Sequence, residues 1–159
     1  MKKTASSVPK HIVILLFALS SLFASVYDKA EYAYSQNRYK EVYTLLLPLY
    51  KKGDAKAAYR IGVMYRQGEG LTRNYNKSHK AYLVAANGGD VNAMGIVAFN
   101  YYKSIGVLPD FKKALFWWKK SARIGNKKSA YMLGYLYEHG VGVKTNSWKA
   151  NFWYSKAGL

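Results

Sequence analysis

The chain has 159 residues, 25 Lys and Arg against 8 Asp and Glu, a formal charge of +17, and no cysteine. Half of the residues are hydrophobic and 16% are aromatic, which excludes wholesale disorder and suits one domain with a real core. Without cysteine there is no disulfide and no lipoprotein anchor.

The N-terminus, "MKKTASSVPKHIVILLFALSSLFAS", joins a basic start to an apolar run from Ile12 to Ala24. That run is shorter than the roughly 20 residues a helix needs to span a bilayer. The pattern is that of a secretory signal peptide over residues 1–24, with cleavage after Ala24 or Ser20. An uncleaved membrane anchor is the alternative. The expected location is therefore periplasmic or secreted. The excess of positive charge favours an acidic partner, and export argues against nucleic acid. An acidic protein surface, anionic lipid headgroups and acidic cell-wall glycans remain.

Residues 25–56 contain "YAYSQNRYKEVYTLLLPLYKKGD", in which Tyr39 precedes Tyr75 by 36 residues and Asp54 precedes Asp90 by 36. This is an atypical helical unit or cap. From residue 57 the period becomes regular, with units over 57–92, 93–128 and 129–159. A step of 36 links Tyr65, Tyr101 and Tyr137, then Gly70, Gly106 and Gly142. It also links Asn74, Asp110 and Asn146, then Ala81, Trp117 and Trp153.

Each unit predicts two helices. The first, from Ala57, Ala93 or Ser129, puts Ala57, Ile61 and Tyr65 on one face. The small residue that follows, Gly62, Ala98 or Gly134, lets a neighbouring backbone approach closely. The second, as in "DFKKALFWWKKSARIG", aligns Ala114, Trp117 and Ser121 beside Leu115, Trp118 and Ala122. Asn74, Asp110 and Asn146 are the expected N-caps of these second helices. The stretch "GYLYEHGVGVKT" superficially suggests a phosphate loop. Such a loop needs a preceding strand and a Gly directly before the Lys, whereas a helix precedes this one and Val143 precedes Lys144. Its glycines end the first helix instead.

These residues resemble the SLR (Sel-one-like) repeat family, relatives of the tetratricopeptide repeats. Unit three carries the likeness through Leu133, Gly134, Tyr137, Gly140, Gly142, Val143, Lys149, Ala150, Trp153 and Tyr154. Unit two departs at Ala98 and Ser104, and unit one at Ser78 and Ala81. The resemblance implies an all-α fold, a right-handed α-solenoid of antiparallel helix pairs, that binds proteins and has no single associated reaction. It also suggests which positions of the first helices face a partner on the concave side. In unit one these are Lys56, Tyr59, Val63, Arg66 and Gln67. Unit two supplies Asn92, Gly95, Phe99, Tyr102 and Lys103, and unit three Lys128, Tyr131, Tyr135, Glu138 and His139. Trp148 and Phe152 on the last helix cannot turn inward together with Trp153 and Tyr154. They are expected to form an exposed aromatic end that dimerises or meets the partner.

Only His11, His79 and His139 occur, at no metal-binding spacing, so no metal, cofactor or catalytic residue is assigned. Glu138 and His139 are expected to point apart on their helix. The resulting expectation is an exported, non-enzymatic module for an acidic protein, one form being an immunity protein against a secreted antibacterial effector. The rival is an envelope protein that binds glycan or anionic lipid headgroups. A weaker rival, β-lactam binding or hydrolysis, is linked to relatives that are typically rich in cysteine.

Overall fold

The computed structural model describes residues 25–159, and the signal peptide expected over 1–24 lies outside the described residues. Helix α1 covers residues 25–35. It is followed by α2 (Tyr39–Lys51), α3 (Ala55–Gln67), α4 (Tyr75–Asn87), α5 (Val91–Lys103), α6 (Phe111–Arg123), α7 (Lys127–His139) and α8 (Ser147–Ala157). There is no strand among the described residues.

Six of these helices begin on the same device, a side-chain oxygen that accepts from a main-chain N–H three residues on. Asn74, Asp110 and Asn146 do this for α4, α6 and α8, at 2.9, 2.9 and 2.8 Å. Asp54, Asp90 and Asn126 do it for α3, α5 and α7, at 2.9, 2.7 and 2.9 Å. The second set moves the starts of α3, α5 and α7 to Ala55, Val91 and Lys127, two residues ahead of the expected positions. Each cap satisfies a donor that the first turn would otherwise leave unpaired.

The helices form a solenoid of pairs, in which each helix from α2 onward packs on the next along the chain. The interior is apolar and stepwise continuous. Ala57, Ile61 and Met64 of α3 join Val42 and Leu46 of α2 in one cluster. Trp117 and Trp118 of α6 join Met94 and Val97 of α5 and Leu133 of α7 in the next. A buried Leu, Ile or Val contributes about 1.5–3 kcal/mol here, and each unit depends on its neighbours for that burial.

The small residue of the first helix has a different role from the one expected. A Cβ built on Gly62 would lie 2.9 Å from the ring of Tyr82, and one on Gly134 would lie 2.5 Å from the ring of Tyr154. An aromatic ring from the second helix of the same unit, rather than a neighbouring backbone, occupies the space.

The first helix of each unit then stops in the left-handed region, at Gly68 (φ +82°), Ser104 (φ +58°) and Gly140 (φ +68°). Main-chain bonds close the loops in register, from Asn74 N–H to the Tyr65 carbonyl (2.8 Å), Asp110 to Tyr101 (3.1 Å) and Asn146 to Tyr137 (2.8 Å).

Candidate functional site

The face made by α3, α5 and α7 carries a groove of about 450 Å³. Tyr59 and Arg66 reach it from α3, Asn92, Gly95, Ile96 and Phe99 from α5, and Lys128, Ser129 and Met132 from α7. Trp118 of α6, only 2% exposed, forms part of its floor. At one side the amide of Asn126 lies 3.5 Å from the side-chain oxygen of Asn92. Beneath the groove, Ser129 Oγ donates to Ser121 Oγ at 3.0 Å.

Six of the seventeen residues singled out in the sequence meet in this groove: Tyr59, Arg66, Asn92, Gly95, Phe99 and Lys128. The others lie elsewhere. Lys56 borders a smaller recess of about 180 Å³ with Tyr27 and Glu31, its ammonium 4.3 Å from the centre of the Tyr27 ring. Tyr59 lines both spaces, so they adjoin. Tyr131 and Glu138 border a shallow recess with Asn151 and Tyr154. Val63, Tyr102 and Tyr135 are half-buried against the core. Lys103 extends over the Tyr102 ring at 4.7 Å, and Gln67 is exposed. Glu138 and His139 do not point apart: His139 Nδ1 lies 3.5 Å from Glu138 Oε2 and donates to the Tyr135 carbonyl at 3.1 Å. Both side chains are exposed in the last turn, and the His139 ring stacks on Tyr135, one turn earlier, with ring centres 4.3 Å apart.

The charge of the groove follows from where the acidic residues are used. Asp54, Asp90 and Asp110 cap helices. Glu31 pairs with Arg60 at 3.0 Å and Glu41 with Arg38 at 2.9 Å. Glu69 accepts from the Tyr34 hydroxyl at 3.2 Å, and Glu138 from that of Tyr154 at 2.6 Å. Arg66 and Lys128 form no ion pair among the described residues. Burial pushes the Tyr82 phenol up to about 12, against the opposite pull of the adjacent Arg66 guanidinium. The groove thus joins two free cations, two amides and an apolar floor.

The repeated caps, glycines and aromatic rings define a family. A model described as the Sel1 repeat matches residues 55–90, 91–126 and 127–159. The chain belongs to the Sel1 repeat family. Among solved structures, it is similar to a Sel1 repeat protein from Oxalobacter formigenes, with a TM-score of 0.75 and 26% identity over 82% of this chain and 54% of that one. It is also similar to a protective antigen of uropathogenic Escherichia coli strains displaying an SLR fold, with a TM-score of 0.73 and 29% identity over 76% of this chain and 26% of that one. The chain spans about half the length of the first protein and about a quarter of the second. No curated protein matches it in sequence. The Sel1 repeat fold is that of a protein–protein interaction module, and such repeats are generally non-catalytic scaffolds.

The Sel1 period also explains where the groove lies. Tyr59, Gly95 and Tyr131 occupy one register of successive repeats, so the middle repeat lacks the ring its neighbours carry. The missing volume leaves the half-buried Ile96 and Met132 on the groove wall above Trp118, which stays 2% exposed; the helical period places Trp118 in the core and carries no signal for the other two. Comparing one register across repeats would have signalled the gap. Asn126 reaches the groove as the N-cap of α7, a role set by a helix start two residues ahead of the expected one. Among the described residues, no group of three or more His, Asp or Glu could hold a metal ion, and no helix is long and apolar enough to cross a membrane.

Proposed function

We propose that the protein is an exported, non-enzymatic interaction module that holds an acidic segment of a partner protein in the groove between α3, α5 and α7. The lining of that groove supports the reading. Arg66 and Lys128 offer charge-assisted bonds to carboxylates, and Asn92 and Asn126 suit the main-chain groups of an extended segment. An apolar side chain of the partner fits over Gly95, against Ile96, Trp118 and Met132. Such an apolar anchor surrounded by polar contacts is how protein interfaces concentrate their affinity. One concrete form is an immunity protein that captures a secreted antibacterial effector in the periplasm. The net charge of +17 supports fast capture of an acidic surface, and the apolar run Ile12–Ala24 supports export.

Panning random phage-displayed peptides on the protein tests the groove. The expected binders combine Asp or Glu with a neighbouring apolar residue, and lose at least tenfold in affinity on the variant Arg66→Glu/Lys128→Glu. Binders without acidic residues, or binders indifferent to the double variant, would reject this site. N-terminal sequencing of the native protein tests export separately. A mature end near Ser21 or Ser25 supports it, and an intact Met1 in the cytoplasm rejects export while leaving the groove reading in place.

A further inference from the structure

Phe116 on α6 and Phe152 on α8 stand one repeat apart, and both are left in water, 58% and 41% exposed. A single exposed ring needs no explanation, but the same ring at equivalent places on two successive second helices marks a surface. Two neighbours extend it. Trp148 is 73% exposed and stacks on Phe152 with ring centres 5.8 Å apart. Ile124, 57% exposed, shares a shallow recess with Phe116, Lys119, Lys120 and Arg123.

The charge around these rings is of one sign. Helices α4, α6 and α8 contain no acidic residue, and α6 adds Lys112 and Lys113 to the cations of that recess. Only Lys113 is paired, with the capping Asp110 at 3.2 Å. Lys120 and Lys156 again stand one repeat apart, beside Trp117 and over Phe152 at 5.1 and 5.9 Å. An acidic polymer would engage the lysines and leave the rings in water. The interface of an anionic bilayer satisfies both, taking rings at the acyl boundary and cations at the headgroups.

We propose that this face of α6 and α8 docks the protein on an anionic lipid bilayer, with Phe116, Trp148 and Phe152 entering the interface and Lys112, Lys119 and Lys120 meeting headgroups. None of these residues lines the groove, so the two surfaces can be occupied together.

The absence of cysteine allows a single reporter. The full chain carrying Phe116→Cys, labelled with an environment-sensitive fluorophore, is titrated with vesicles of phosphatidylglycerol and phosphatidylcholine in equal parts, with phosphatidylcholine vesicles, and with polyglutamate. Gln67→Cys, labelled likewise, is the control, and Phe152→Cys is the second reporter if the first perturbs folding. Residues 12–24 can attach the chain to either vesicle, but the label reads the α6–α8 face itself. The expected result is a blue shift with anionic vesicles that is weaker with neutral ones, reversed by about 0.5 M salt and absent at position 67. Lys119→Glu/Lys120→Glu should weaken it about tenfold or more. An unchanged label, or an equal response to neutral vesicles, would overturn the proposal. So would an equal response to polyglutamate, which would assign the face to an acidic polymer.

Discussion

Gly106 lies directly on the main chain of Tyr75: a Cβ placed on it would sit 2.0 Å from the Tyr75 carbonyl oxygen and 2.7 Å from the Asn76 nitrogen. Gly106 also has a φ of +70°. The loop after α5 therefore rests on the first turn of α4, and the loop after α3 rests in the same way on Tyr39 and Lys40 at the start of α2. At the corresponding Gly142 the nearest atoms belong to the Phe111 side chain, the first at 2.7 Å.

These contacts rank the glycine substitutions. Gly106→Ala should cost on the order of 3 kcal/mol or more, because rigid backbone must move as well as φ. Gly142→Ala should cost about 1 kcal/mol, since the half-exposed Phe111 ring can swing aside. Lys144→Ala should leave stability unchanged and remove no nucleotide binding. Urea denaturation of the three variants checks the order, and equal midpoints for Gly106→Ala and Gly142→Ala would contradict it.

Gly95 offers a way to close the groove without damaging the fold. Its backbone is ordinary helix, and an added Cβ meets Ser129 Oγ at 3.1 Å and Ser121 Oγ at 3.8 Å, so the bonded Ser129–Ser121 pair need give by only a few tenths of an ångström. Gly95→Tyr restores the ring present at Tyr59 and Tyr131. It should change stability by less than about 1 kcal/mol, because improved helix propensity offsets crowding. Peptides selected on the wild type should no longer bind. Unaltered binding by a folded Gly95→Tyr would move the site elsewhere.

Asp90 should behave as a helix cap and little else. Asp90→Ala removes the 2.7 Å bond to Ala93 N–H and should cost about 1 kcal/mol, whereas Asp90→Asn should retain most of the stability. Thermal denaturation of both variants distinguishes the cap from a charge effect.

His79 gives the fold a pH dependence. Its ring is buried, 4% exposed, with Nδ1 3.3 Å from the Asn100 amide and in a T-shaped contact with Tyr101, ring centres 4.9 Å apart. Nε2 and the Asn100 side-chain oxygen have no hydrogen-bond partner. Burial lowers the pKa of His79, so the unfolded chain binds the proton more readily than the folded one. This contribution is complete above the unfolded value of about 6.5. It falls with pH below that value, by up to about 1.4 kcal/mol per unit, until the folded group also titrates. The stability gap between wild type and His79→Gln should therefore narrow from pH 7.5 to pH 5. Parallel curves would show that His79 does not couple to folding.

The period, the helix pairs and most of the core were legible in the chain alone. Caps at Asn74, Asp110 and Asn146, and burial at Ile61, Ala114 and Trp117, follow from chemistry within a few residues. A cap needs only its own first turn, and an apolar stripe needs only the helical period. The same period placed Trp148 and Phe152 outside the core, where the structure also leaves them.

What the tertiary structure decided involves residues on different helices. Stacking of successive repeats determines that Gly95 opens a space over Trp118, that Gly106 meets Tyr75, and that His79 is sealed in beside Asn100. It also decides which acidic residues remain for a partner, by engaging Glu31 of α1 with Arg60 of α3 and Glu138 of α7 with Tyr154 of α8. A sequence repeat fixes what each unit contains, but the gap left between two units depends on side-chain volumes contributed by both.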